Sequence, residues 1–234
     1  MSQIMNIEDT KPGWKELYRI GAIAAIVSEI VLLFGIVAFV IYPYAPGNIS
    51  TESILLSLQN NRFGGLISLD LHLVLGNLFG IILFLALYVS LKKVNRSYAL
   101  IALVLGLIAD LLIIPARPIY ELVTLSGLYA SATTEAAKSQ YLAAGDALLL
   151  LFNGTSWFLN TLLGGISFLM SSLLMLRSKL FSRSTAYVGI ITNAAVCLFF
   201  IPGIGTLLLL LSLPGYMIWY FQLARKFLEM EKGG

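Results

Sequence analysis

Apolar residues fall along this chain in long unbroken runs, not in the two-residue alternation of a half-buried strand. A helix crosses the hydrocarbon of a bilayer with about 20 such residues. Six runs meet this description: 18–42, 67–91, 98–114, 148–176, 186–201 and 207–228. The third and fifth are short and stop at Pro115 and Pro202, whereas the fourth is long enough to project beyond the bilayer. The pattern predicts an all-α fold, a polytopic membrane helix bundle with six transmembrane helices over 18–228. A polar N-terminal segment, 1–17, and a short C-terminal tail, 229–234, flank it.

The connections differ in kind. Residues 43–65 hold a Pro-Gly turn and then a short amphipathic stretch at 54–58. Residues 116–145 read as helical on both flanks with a break near 130–134, and the Ala-rich run 135–144 extends the fourth helix. Both segments are expected on one side of the membrane, as helical extensions. The remaining loops are short basic turns.

Composition supports this class. The chain is 59% hydrophobic and 12% charged, with mean hydropathy +0.89, where a soluble domain carries roughly 25% charged residues. So little charge could not cover a soluble surface of this size.

Charge also gives direction, because cytoplasmic loops carry an excess of Lys and Arg. Of the fifteen basic residues, twelve fall on one side of the predicted bundle: Lys11, Lys15, Arg19, Lys92, Lys93, Arg96, Arg177, Lys179, Arg183, Arg225, Lys226 and Lys232. Only Arg62, Arg117 and Lys138 fall on the other. This bias predicts both termini in the cytoplasm and a multi-pass protein of the cell inner (plasma) membrane. Residues 1–15 lack the apolar core and small-residue cleavage site of a signal peptide, so the first helix is expected to remain as an anchor.

Several classes are excluded. The net charge of +3 is modest and no basic-aromatic patch exists, so no nucleic-acid partner is expected. There is no phosphate-binding loop, dinucleotide fingerprint or HExxH pair, and one histidine cannot build a haem pair or a histidine-rich metal box. No metal or cofactor is expected. The single Cys197, within an apolar run, reads as a small packed hydrophobe and cannot form an intrachain disulfide.

An internal repeat is hinted at. With an offset of 87 residues Arg96, Ser97 and Ala99 align with Arg183, Ser184 and Ala186, and Ile114-Pro115 with Ile201-Pro202. Helices two–three and four–five would then be copies of one hairpin.

Candidate chemistry lies in the polar residues of the spans, since an ionisable group at membrane depth costs roughly 2.5–3.5 kcal/mol on insertion scales. Glu29 falls near the midplane, and Asn160 and Asn193 fall at middle depth. Asn77 and Asp110 belong to the outer half, and Asp70, His72, Arg117, Glu121, Asp146 and Asn153 to the outer boundary. Asp110, Arg117 and Glu121, spaced seven and four apart, would share one helix face if Pro115 and Pro118 only kink the helix. Asp70 and His72, two apart, would point nearly opposite ways on a regular helix. Each residue also has a plain reading: Glu29 as a protonated packing carboxyl, His72 as an interfacial group, Arg117 as a lock paired to Asp110 or Glu121.

The run Arg117-Pro118-Ile119-Tyr120-Glu121-Leu122 continues through Tyr129-Ala130, Tyr141-Leu142-Ala143-Ala144-Gly145-Asp146 and Phe152-Asn153-Gly154-Thr155 to Met175-Leu176-Arg177-Ser178. With Gly76-Asn77 and Phe79-Gly80 before it, and Ile204-Gly205 and Ala224-Arg225 after it, this series resembles the prokaryotic membrane family known as domain of unknown function 4386. The resemblance covers about 15–230 and implies a six-helix inner-membrane protein. It implies no activity, and it makes 117–155 the most recognisable part.

The residues together predict an outward-opening polar cavity between helices. Asp70, His72, Asn77, Asp110, Arg117 and Glu121 would line it, with Glu29 and Asn193 as its floor. A lipid or small amphiphile suits apolar walls with a few convergent polar groups; membrane lipids are the surrounding partners. One alternative is an intramembrane enzyme using His72 as general base with Asp110 or Asp146, or a metal held by these three. Another is a structural or regulatory subunit whose polar residues lock helices together.

Overall fold

The computed structural model describes residues 12–233, and among these no strand occurs. Residues 1–11 of the expected N-terminal segment, Lys11 included, lie outside the described residues, as does Gly234 of the tail. The helices are α1 (Pro12–Ile41), α2 (Thr51–Asn60), α3 (Arg62–Ser68), α4 (Leu71–Leu91) and α5 (Arg96–Ala116). They continue with α6 (Ile119–Ser131), α7 (Glu135–Leu149), α8 (Thr155–Arg177), α9 (Arg183–Cys197) and α10 (Gly205–Lys232).

Five helical segments are long and apolar enough to cross a membrane: Trp14–Ile41, Leu71–Leu91, Arg96–Ser131, Glu135–Arg177 and Gly205–Lys232. The run expected at 186–201 is shorter than its apolar sequence. α9 stops at Cys197, and 198–204 wind into turns that contain Pro202 and Gly203 at φ +84°. Its 15 residues rise roughly 22 Å at ~1.5 Å each, against a hydrocarbon core of about 30 Å. α10 remains helical to Lys232, into the expected tail.

Six helices, α1, α4, α5, α8, α9 and α10, close a ring. α1 packs against α4 and α10, α5 joins α4 to α8, and α9 joins α8 to α10. Small residues let backbones approach, as they do where apolar burial alone cannot drive helix pairing in lipid. A Cβ added at Gly106 of α5 would meet the Phe84 ring of α4 at 2.5 Å. Large apolar side chains such as Val40, Ile191 and Leu211 face outward, fully in keeping with a lipid-facing surface.

Two cores hold the molecule. One lies toward the basic turns, where Phe84 stacks on Phe168 (4.4 Å between centroids) and Phe168 meets Trp219 edge-on at 5.0 Å. The other lies at the opposite end, where α2, α6 and α7 bury Leu55, Leu122 and Phe152 together. The amphipathic stretch expected at 54–58 is the buried face of α2, which Ser50 caps by accepting from the Ser53 amide. The expected break is the gap between α6 and α7, after which Thr134 caps α7 through the Ala137 amide. These short helices form a cap over the ring.

The second helices of the two hinted hairpin copies, α5 and α9, start alike. Asn95 and Ser182, 87 positions apart, are the N-caps of α5 and α9, each accepting at 3.1 Å from the amide three residues on.

Candidate functional site

The cap and ring meet at Arg117. Its helix does not merely kink: Arg117 takes non-helical angles (φ −131°, ψ 76°) between the end of α5 and Pro118. This turns the side chain inward, where only 2% of it is exposed. Nε and Nη2 reach Asp70 Oδ2 at 3.1 and 3.0 Å, and Nη1 donates to the carbonyls of Ala116 (3.0 Å) and Phe152 (2.7 Å). The guanidinium also lies over the Phe152 ring, 5.1 Å from its centroid. One side chain therefore ties the α3–α4, α5–α6 and α7–α8 connections. Tyr44, just after α1, adds the fourth connection by donating to Asn153 Oδ1 at 3.3 Å. Burial pushes the Tyr44 phenol up to about 12, so it stays a donor.

Asp70 is the only non-glycine residue with positive φ (+62°) among the described residues. Asp tolerates this left-handed conformation better than most side chains. The irregularity breaks the helical relation that would have set Asp70 and His72 on opposite sides.

Inside the ring lies a cavity of about 250 Å³ to which all six ring helices contribute. Its polar wall is built from Asn77 of α4, Asp110 of α5, Asn160 of α8 and Tyr216 of α10. Asn160 Nδ2 donates to Asn77 Oδ1 (3.1 Å) and to the Ala109 carbonyl (2.8 Å), while Asn77 Nδ2 donates back along α4 to the Leu73 carbonyl (2.8 Å). Asn160 Nδ2 and both polar ends of Asn77 are thus already engaged. Asp110 is not: it is 8% exposed, and its Oδ2 is buried with no hydrogen-bond partner among the described residues. Gly80 makes room for that carboxylate, since an added Cβ would stand 2.5 Å from Oδ2.

A second cavity, of about 440 Å³, lies between α1, α4 and α10 toward the cap. Its walls are chiefly apolar, with Asp70, His72, Tyr42 and Tyr44 at the rim. His72 sits edge-on to Phe34 (5.7 Å) in room left by Gly35, and its Nδ1 is buried with no hydrogen-bond partner among the described residues. Leu32, Leu73, Leu209 and Leu213 line both cavities, so the two adjoin.

The eight expected site residues are therefore divided. Asn77 and Asp110 line the inner cavity, and Asp70 and His72 the outer one. Arg117 lines neither and pairs with Asp70, not with Asp110 or Glu121, because the chain break at 117 ends the shared helix face. Glu121 is exposed on α6. Glu29 lines neither cavity, although its neighbour Ser28 lines the inner one. Asn193 is wholly buried beside the inner cavity, accepting from the Tyr216 hydroxyl (2.8 Å) and donating to the Gly189 carbonyl (2.7 Å).

The dyad considered for an intramembrane enzyme is not assembled. His72 makes no hydrogen bond to a carboxylate among the described residues, Asp110 faces the other cavity, and Asp146 accepts from Thr51 in the cap. Among the described residues no three His, Cys, Asp or Glu side chains gather as a metal site. Sequence reasoning passed over the cavity roles of Tyr216 and Tyr220. Their i, i+4 spacing on α10 is a usable signal, but it looks the same on a lipid-facing stripe.

No curated protein and no solved structure matches the chain at a significant level. Residues 17–224, which span the ring and its cap, match the family described as a domain of unknown function, DUF4386, and the chain belongs to that family.

Proposed function

We propose that this protein binds, and in doing so can pass across part of the bilayer, a small amphiphile whose polar end enters the ring. The observation that carries this reading is the pair of adjoining cavities. The inner one presents Asp110, Asn77 and Asn160 among apolar walls, and the outer one is almost wholly apolar. An amphiphile needs both environments side by side, and a concave, mostly apolar site with few fixed polar groups is the usual form of a small-molecule site.

In this reading α9 with the turns at 198–204 is a sixth crossing, and both termini face the cytoplasm of a prokaryotic cell. The basic residues support it: Lys92, Lys93 and Arg96 flank the α4–α5 turn, Arg177, Lys179 and Arg183 the α8–α9 turn, and Arg225 and Lys226 the end of α10. The cap and the apolar cavity then face outward.

Gly164 lines the inner cavity with only Ala109 Cβ near its missing side chain, at 3.7 Å. Gly164→Leu would fill the cavity from α8. Gently purified wild type should carry a defined co-purifying amphiphile, measured by native mass spectrometry and lipidomics, and Gly164→Leu should lose it. An identical, unspecific lipid mixture on both proteins would overturn the proposal.

A further inference from the structure

We infer that the inner cavity receives a cationic head group, an organic ammonium, with Asp110 as its counter-charge; this rests on the reading of the cavity as an amphiphile site. Asp110 is the one acidic residue lining the cavity, and no Lys, Arg or His lines it. A buried polar atom without a partner calls for an explanation. Asp110 Oδ2 is such an atom; its carboxylate lines the cavity and fills the room that Gly80 leaves on α4. A guest that donates an N–H⁺ hydrogen bond satisfies it, and charge-assisted bonds of this type are the strong ones.

The rest of the wall selects the kind of cation. Phe84, Phe168, Tyr216 and Tyr220 line the same cavity. Aromatic rings attract an ammonium held over their faces, through the ring quadrupole. A hard metal ion needs six or more oxygen ligands for calcium and an octahedron for magnesium. Here the Asn77 Oδ1 is already occupied by Asn160, and the Asn193 Oδ1 by Tyr216. An anionic head group would meet a carboxylate with no compensating base. The apolar cavity that shares Leu32, Leu73, Leu209 and Leu213 takes the tail of the same molecule.

Three probes with one tail separate the possibilities: octylamine, octanol and octanoate, titrated calorimetrically at pH 7 into the protein in zwitterionic nanodiscs, with empty discs subtracted. Octylammonium should bind saturably at one site, at least tenfold tighter than octanol, and octanoate should show no saturable binding. Asp110→Asn should remove the tenfold gap and leave octanol binding in place. Gly80→Ala, whose methyl displaces the carboxylate, should narrow the gap as a second variant. Equal affinity for amine and alcohol, preference for octanoate, or a gap that survives in folded Asp110→Asn would overturn the cation assignment and leave the cavity reading intact. Saturable binding by none of the three would overturn both.

Discussion

Arg117 and Asp70, 47 residues apart in sequence, form a buried ion pair at the joint between the cap and the ring. Nη1 donates to two backbone carbonyls as well, so the guanidinium is held by four polar contacts and not by charge alone. Removing one partner of such a pair leaves an uncompensated buried charge, at about 3–5 kcal/mol. Arg117→Met should therefore lower the thermal midpoint strongly in detergent, as followed by the loss of monodisperse protein on heating. Arg117→Lys should not restore it, because one ammonium cannot reproduce the planar fork that reaches Asp70, Ala116 and Phe152 together.

The double variant Asp70→Leu with Arg117→Met should be less destabilised than the sum of the single changes, because it removes both charges. Additive losses would mean that the two side chains stabilise the joint independently. The left-handed backbone at Asp70 adds a second expectation. Asp70→Asn should be tolerated better than Asp70→Val, since Asn adopts positive φ readily and a β-branched residue does not.

Asn160 holds α8 to both α4 and α5 through one amide nitrogen. Asn160→Leu should leave the Asn77 carbonyl oxygen without a donor inside the ring, a loss of roughly 1–3 kcal/mol. The same thermal assay reads it, and an unchanged midpoint would show that these groups find other partners.

Gly189 lies where α9 crosses α8 and α10, and an added Cβ would meet Ser172 Oγ and Trp219 Nε1 within 2.5 Å. Gly189→Ala should force that crossing apart at about 1–3 kcal/mol. Gly127, with nothing within 4 Å of its missing Cβ, is the control: Gly127→Ala should be neutral or slightly stabilising within its helix.

Sidedness is tested with cysteines in a Cys197→Ser background. Ser97→Cys, beside the α4–α5 turn, should react with an impermeant maleimide only after the membrane is opened. Ser131→Cys, at the end of α6 in the cap, should react in intact cells. The reverse pattern would invert the proposed topology.

Much of the fold is legible in the residues. The long apolar runs locate α1, α4, α5, α8 and α10, because length and hydropathy alone dictate a membrane helix. The amphipathic stretch of α2 and the break between α6 and α7 are local signals too, carried by a buried stripe and by Thr134 as an N-cap. α9 is less legible: its apolar sequence runs on to Ile201, and only the turns around Pro202 and Gly203 shorten it. Asp110, Asn77 and Asn193 draw notice as polar residues in apolar helices, and the structure places the first two on one cavity and the third beside it through Tyr216.

Partner choice is another matter. Helical spacing pairs Arg117 with Asp110 or Glu121, yet its partner is Asp70, because one non-helical residue before Pro118 redirects the side chain across 47 positions of sequence. Hydropathy and periodicity are properties of a segment and its solvent, so the sequence by itself determined the helices and the membrane class. Which faces meet, where a ring leaves a cavity, and which carboxylate stays without a partner depend on packing among segments far apart in the chain. Only the tertiary structure decided these, because a side chain's partner is set by the helices around it and not by its neighbours along its own.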